Sequence, residues 1–336
     1  MPRTIPGQAH GRDIKKDIQP MTNMLTIRCK NNHSKISVPF GSSLYDVYQK
    51  TGLQMDFGPI AATVNNKVQG MNYRFYNNKD VLFLSLQSPS GMYTYSRTLF
   101  FVLAKAVEDL YPSAQLIIGD CVSRGFYCEL HTGETVTHQM VENIRRRMQE
   151  IIDADMPIRR IQCPIEEAIS MFQSKGMTSK VQLLESQNNL YTYYYQLDQT
   201  VDYFYGCLLT RTGLLHLFDL MPFYDGVLLR IPKIKNPALL EPLTPQDKML
   251  DVMREHRKWQ NILGIRTVGE FNQMVLKGES TQLINVSEAL QDKKLSNIAD
   301  EIAERGAKLV LIAGPSSSGK TTTAKRLAIL LMACGL

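Results

Sequence analysis

The chain has 336 residues, which at about 150 residues per domain allows two domains, or three small ones, with ample length to bury a core. Hydrophobic residues make up 44% and charged residues 21%, which excludes a disordered, collagen-like or coiled-coil chain. Lys and Arg outnumber Asp and Glu by 38 to 32, and a net charge of +6 permits contact with phosphates without demanding nucleic acid. The six cysteines (Cys29, Cys121, Cys128, Cys163, Cys207 and Cys334) form no C-x-x-C pair and read as the reduced thiols of a cytosolic protein. The N-terminus lacks the apolar segment of a secretory signal, and the late apolar stretch Leu327 to Leu336 is about half a membrane span. A cytoplasmic protein without a membrane partner is the expectation.

Residues 1–23 are polar and without periodicity, the pattern of a disordered arm, and Met24 is an equally good start. From there Leu25, Ile27 and Cys29 alternate with polar residues, as do Ile36, Val38 and Phe40. The Asn31-Asn32-His33-Ser34 stretch between them predicts a hairpin. Ser43 with Asp46 three residues on predicts a helix start ahead of Leu44, Val47 and Tyr48. Strand patterns follow at 62–68 and 81–86. Strand, strand, short helix, strand, strand is a β-grasp order. Residues 24–88 thus resemble the TGS domain of threonyl-tRNA synthetases and some GTPases, although the usual Val-Asn-Gly turn reads Val64-Asn65-Asn66 here.

An amphipathic helix is predicted from Leu99, Val102, Leu103, Ala106, Val107 and Leu110, stopped by Tyr111-Pro112. Others are predicted after Thr137 and over Pro164 to Phe172, the latter closed by Gly176. Strand-like runs lie at 116–122, 125–130, 190–197 and 214–221. Residues 244–306 read as helical: Thr244-Pro245 predicts an N-cap with proline at N1, Gly264 a stop, Thr267 with Glu270 a capping box, and Gly306 the end of a last helix.

Residues 92–233 carry a second resemblance. Phe101 to Pro112, GFYCELHTGETVTHQMVENIRRRM, the Glu-Glu-Ala of 166–168 and VDYFYGCLLTRTG are similar to the second additional domain of threonyl-tRNA synthetases, which removes mischarged serine from tRNA. In that family the site pairs an H-x-x-x-H motif with a Cys and a His four residues apart. The resemblance places those positions at Phe101, Lys105, Phe204 and Leu208, so all four site residues are lost and the domain is expected to be inactive.

Other candidates read better as structure. Cys128, His131 and His138 match no usual zinc spacing. Arg145, Arg146 and Arg147 fan over about 200° of a helix and cannot form one patch. Tyr191, Tyr193, Tyr194 and Tyr195 suit sheet packing more than base stacking, and Trp259, at helical spacing with Met249, Val252 and His256, suits a core.

The strongest motif comes last. Leu309 to Ile312 is a buried-strand pattern, and Gly314-Pro315-Ser316-Ser317-Ser318-Gly319-Lys320-Thr321 fits G-x-x-x-x-G-K-[ST] ahead of an apolar helix. Such a loop offers backbone N–H groups and a helix N-terminus to phosphates, with Lys320 on the β- and γ-phosphates of ATP and Thr321 on Mg²⁺. Continued by Thr322, the motif resembles the uridine kinase and phosphoribulokinase family. The expected architecture is therefore an α+β N-terminal part (24–88 and 92–233), a helical connector (234–306) and the first strand, P-loop and helix of an α/β kinase domain (307–336). One strand and one helix cannot catalyse phosphoryl transfer, and a parallel strand buried on both faces cannot stand alone. The resemblance implies the N-terminal portion of an ATP-dependent nucleoside kinase acting on a uridine- or cytidine-like 5′-hydroxyl. The alternatives are an RNA- or tRNA-binding module with an inactive editing domain, and a residual aminoacyl-tRNA hydrolase.

Overall fold

The computed structural model describes residues 24–336, so the arm expected at 1–23 lies outside the described residues. The chain is α+β, with several sheets and a run of helices at its C-terminal side.

The first unit comprises β1 (Met24–Cys29), β2 (Lys35–Pro39), α1 (Leu44–Thr51), β3 (Ala61–Val64), β4 (Lys67–Gln69) and β5 (Lys79–Leu84). They form one mixed sheet in the order β2-β1-β5-β3-β4, with β1 and β5 parallel and the remaining neighbours antiparallel. Period-two alternation sends Ile27, Cys29, Ile36, Val38, Val81 and Phe83 into a core closed by Leu44 and Val47 of α1. The predicted capping box is present: Ser43 Oγ accepts from the Asp46 N–H, and Asp46 Oδ2 accepts from the Ser43 N–H at 2.7 Å. That last bond holds the Asp46 carboxyl below its usual range. Asn65 and Asn66 join β3 to β4 with φ of 46° and 68°, the all-positive geometry of a two-residue hairpin that asparagine tolerates.

The second unit opens with α2 (Pro89–Leu110), which starts ten residues before the periodicity at Leu99 suggests. Ser88 caps it and Pro89 occupies N1, a start signal hidden by the tyrosines and glycine of its first turns. Then come β6 (Gln115–Val122), β7 (Gly125–His131), α3 (His138–Asp153), β8 (Arg159–Pro164), α4 (Ile165–Ser174), α5 (Thr178–Glu185), β9 (Tyr191–Leu197), β10 (Thr200–Asp202), β11 (Asp219–Phe223), β12 (Gly226–Arg230), β13 (Pro232–Lys233) and β14 (Asn236–Leu240). They build sheets β11-β12-β7-β6, β10-β9-β8 and β13-β14. The apolar faces of α2 and α3 meet in the main core, with Leu99, Phe101 and Val102 against Ile144, Met148 and Ile151 in one cluster.

The strand expected at 214–221 begins only at Asp219. Before it, the buried Tyr95 hydroxyl accepts from the N–H groups of His216 (3.0 Å) and Leu217 (2.9 Å) and donates to the Leu217 carbonyl (2.9 Å). A side chain thus takes the backbone groups that a strand neighbour would have used.

The helices are α6 (Asp247–Leu263), α7 (Val268–Leu276), α8 (Ser280–Glu304) and α9 (Lys320–Ala333). The Thr267–Glu270 capping box and the left-handed Gly264 are where the sequence placed them. Thr244 is not a cap. Its N–H donates to Ser123 Oγ (2.9 Å), while Gln246 Oε1 accepts from the Ser123 N–H (2.7 Å), so the segment docks on the β6–β7 turn before α6 begins. Trp259 is half-buried rather than core, and Met249 and Val252 beside it are exposed, because α6 packs through one narrow face.

Leu309 to Ile312 form no strand, and Leu311 is 83% exposed. Among the described residues nothing pairs with this run, and a strand without neighbours leaves its backbone to water. The P-loop kinase domain expected here is therefore not seen. The helix after it is nonetheless ordered: α9 packs along α8, with Leu327 buried, Arg326 paired with Asp292 and Cys334 Sγ bonded to Asp300 at 3.5 Å.

Candidate nucleic-acid interface

One face of α2 grips the segment that links β10 to β11. Thr94, Arg97, Thr98 and Phe101 sit at i, i+3, i+4 and i+7, the spacing of one helix stripe. Thr98 Oγ1 accepts from the Leu209 N–H (3.0 Å), Arg97 Nη1 donates to the Cys207 carbonyl (3.3 Å), and Thr94 Oγ1 lies 3.4 Å from Cys207 Sγ. From β9, the Tyr195 hydroxyl donates to the Gly206 carbonyl (3.0 Å). Gly206 has φ of +123° and presses so closely on Arg97 that a Cβ would lie 2.7 Å from Nη1. Only glycine fits that turn.

The structure brings together three of the four positions assigned to the lost editing site. Phe101 is fully buried and meets Phe204 edge to face at 5.3 Å, and Leu208 is buried beside them in the same core. Lys105 lies a turn further along, 2% exposed, with Nζ 3.1 Å from Asp109 and 3.3 Å from Asp198. The helix residues that face the Gly206–Cys207 turn are Thr94 and Arg97, the latter one turn before Phe101, and the sequence reading passed over both. Apolar packing and ion pairs thus occupy the ground where imidazoles and a thiolate would work.

Above this floor opens a cleft of about 710 Å³ between the two units. Lys67, Asn72 and Arg74 line it from the first unit; Arg160, Tyr193, Tyr195, Tyr203 and Tyr205 line it from the second. The lining holds three cations, six tyrosines, no carboxylate and no imidazole. The Arg160 guanidinium lies over the Tyr193 ring at 3.8 Å, and Tyr203 is 5.8 Å from the same ring. Tyr205, 88% exposed, projects at the rim. Burial pushes the Tyr195 and Tyr203 phenols above their ordinary range, so both remain neutral at neutral pH. Cys207 is the cleft's one thiol, and its neighbour is a threonine hydroxyl rather than a base.

The other sequence candidates separate. Tyr193 and Tyr195 face the cleft, whereas Tyr194 packs on Phe172 at 6.1 Å and Tyr191 is exposed outside it. Arg145 pairs with Glu142 (2.7 Å), Arg146 with Asn143 (3.1 Å) and Arg147 with Asp109 and Glu150 (both 2.9 Å), so the triplet is divided among partners. Cys128 is buried while His131 and His138 are exposed, and no metal-holding group of three His, Cys, Asp or Glu exists among the described residues. Gly314 to Gly319 form an exposed loop. Ser317 and Gly319 have positive φ, and Lys320 at the start of α9 donates its ammonium to the Pro315 carbonyl. The sequence reading missed Lys67, Arg74 and Arg160, which only the fold assembles; the tyrosines of VDYFYG, Tyr203 and Tyr205, were the available signal.

Curated relatives are threonine–tRNA ligases. The enzyme of Syntrophomonas wolfei is 28% identical over 258 residues, which cover 73% of this chain and 40% of that protein. That of Clostridium tetani is 27% identical over 259 residues, 74% of this chain and 40% of the ligase. That of Clostridium kluyveri is 29% identical over 177 residues, 52% of this chain and 28% of the ligase. The chain thus spans between 28% and 40% of the length of these relatives. No protein-family model matches it.

These similarities overturn part of the sequence reading. Recognition as a uridine kinase or nucleoside kinase, the phosphotransferase function and the nucleoside partner rested on the last 30 residues. The relatives match up to 74% of the chain and are named for tRNA ligation. The tRNA-related alternative takes their place. Of the cellular expectation, the structure supports one element: among the described residues no helix is long and apolar enough to cross a membrane.

Proposed function

We propose that this chain is an RNA-binding module of the tRNA-handling type, whose editing-like domain binds without hydrolysing. Its parts are a TGS-like domain at 24–88, an inactive editing-like domain at 92–233, a helical connector at 234–306 and a phosphate-binding loop and helix at 307–336. The observation that carries this reading is the cleft: three cations and six tyrosines with no carboxylate. Cations neutralise phosphates, and aromatic faces stack on bases of any sequence, each worth about 1–3 kcal/mol. A carboxylate-free wall spares a polyanion the repulsion it would meet in an ordinary surface groove. A cleft with no imidazole has nothing to activate water, so the third reading, a residual hydrolase, has no support.

The Gly314–Thr322 segment fits the phosphates of ATP in its glycine-permitted turn and its helix N-terminus. In the proposed reading its backbone N–H groups and Lys320 hold phosphate oxygens and the Thr321 hydroxyl meets Mg²⁺. Lys320 must leave the Pro315 carbonyl to do so.

The test is tRNA binding by the full chain, followed by fluorescence anisotropy over a salt series. Tight binding that weakens steeply with salt is expected. Arg160→Ala or Tyr193→Ala should weaken it about tenfold each, the loss of about 1.4 kcal/mol. A weak response flat in salt, or variants that bind as the wild type does, would sink the reading. Mischarged tRNA incubated with the chain should show no deacylation.

A further inference from the structure

The chain's positive charge is concentrated. Residues 24–88 hold seven Lys and Arg against three Asp, a net +4, whereas residues 89–336 hold 27 of each sign. The sheet of this first unit turns one face to α1 and its core. The opposite face presents Thr26, Arg28, Lys35 and Ser37, all exposed. Register sets Lys35, Arg28 and Asp80 in one row across β2, β1 and β5. Like charges directly opposite each other destabilise a sheet, and Arg28 facing Lys35 is such a pair. Asp80 is the one carboxylate on these five strands, and it is already engaged by Arg28 in two bonds and by Lys30 at 3.9 Å.

At the end of this row lies a groove of about 430 Å³ lined by Arg28, Lys30 and Lys79, by Asp80, whose carboxylate Arg28 already engages, and by Thr26, Asn65, Asn66 and Asn78. Asn65 Oδ1 accepts from the Asp80 N–H (3.0 Å) and Asn78 Oδ1 accepts from the Thr26 N–H (2.8 Å). Their carbonyl oxygens are used by the backbone, and their Nδ2 groups have no partner among the described residues. The groove therefore offers donors and positive charge, the complement of phosphate oxygens. Protein partners are held by apolar and aromatic anchors, and beyond Leu82 and Met24 this face has few. Lys67 follows Asn66 directly and lines the tyrosine cleft, so groove and cleft share the β3–β4 hairpin.

We propose that this sheet face and the groove beside it, with Arg28, Lys30 and Lys35 on the open side and Lys79 at the groove's edge, are a second, sequence-independent contact for the phosphate backbone of an RNA stem whose single-stranded end enters the cleft. The proposal rests on the RNA reading of the cleft for the identity of its ligand and on the face's own charge for its site.

The experiment compares a blunt RNA hairpin with the same hairpin carrying a short single-stranded 3′ tail, both binding the full chain across a salt series. In the triple variant Lys30→Gln, Lys35→Gln, Lys79→Gln the blunt stem should bind at least tenfold more weakly. The slope of log K against log salt should become shallower by about 2–3, since each lost phosphate contact removes about 0.9. The tail should add the same increment in variant and wild type. Circular dichroism melts of the two should coincide, because the lysines lie outside the core. A triple variant that binds the blunt stem with wild-type affinity and slope overturns the proposal. So does wild-type chain that binds phosphatidylserine vesicles or poly-glutamate as tightly as the stem. If the tail adds nothing while the lysine variant still loses the stem, the cleft reading fails and the sheet face stands.

Discussion

Lys105, one of the four positions that the resemblance assigns to an editing site, tests whether such a position can serve stability alone. Its side chain is 3% exposed, and its ammonium sits 3.1 Å from Asp109 and 3.3 Å from Asp198. Lys105→Met keeps the apolar stem and deletes the charge. Two unit charges about 4 Å apart attract by about 4 kcal/mol at an effective dielectric of about 20, and the desolvation of a buried ammonium offsets much of that. What remains depends on the carboxylates left behind. Asp198 is 46% exposed and can hydrate, while Asp109 keeps Arg147 at 2.9 Å. Neither is stranded, so the expected loss is about 1–3 kcal/mol rather than the 3–5 of a broken buried pair. Urea unfolding read by circular dichroism should show a lower midpoint at unchanged slope. A double-mutant cycle with Asp198→Asn should return a coupling of about 0.5–1.5 kcal/mol. Because Lys105 stands outside the cleft lining, RNA affinity should not change. A variant within about 0.5 kcal/mol of wild type would refute the energetics. One that keeps its stability and loses RNA would return Lys105 to the site.

Burial holds the Cys128 thiol up to about 12, against an ordinary value of 9.0. Between those values the unfolded chain binds fewer protons than the folded one, so stability should fall as pH rises above about 9, by about 1.4 kcal/mol per unit. Cys128→Ala should lessen that slope between about 9 and 10, whereas above about 10 the phenols of Tyr95, Tyr127 and Tyr195, all held up by burial, should add slope to both proteins alike. Urea midpoints for both proteins across alkaline pH provide the check, and parallel pH dependences would contradict the assignment. Gly206→Ala must fit a Cβ beside Arg97 at φ of +123°, and a cost of about 1–3 kcal/mol is expected together with weaker RNA binding, since the Cys207–Thr210 wall of the cleft hangs from that turn. Equal thermal stability and equal anisotropy titrations would refute it.

Much of the fold was legible wherever the signal was local. Alternation in 25–29 and 36–40 gave the first hairpin, and Ser43 with Asp46, Thr137, and Thr267 with Glu270 marked helix starts that the structure retains. These signals depend on neighbours within four residues, and side chains that cap or alternate act whatever else the chain does. Local reasoning failed where a distant group intervened. Tyr95 takes the backbone of His216 and Leu217, Ser123 takes that of Thr244, and the apolar run at Leu309 finds no strand to join.

The interface divides in the same way. The sequence by itself determined that no His or Cys stands at 101, 105, 204 or 208, and a missing imidazole is a fact of composition at those positions that no fold can repair. It determined the net charge but not its placement. Only the tertiary structure decided that Lys67 and Arg74 would face Arg160 and Tyr193 across one cleft, since residues 86 to 126 positions apart meet there by packing of two units and share no local pattern. The same packing carries Lys105, one turn beyond Phe101 on the same helix, away from the cleft and into a buried ion pair.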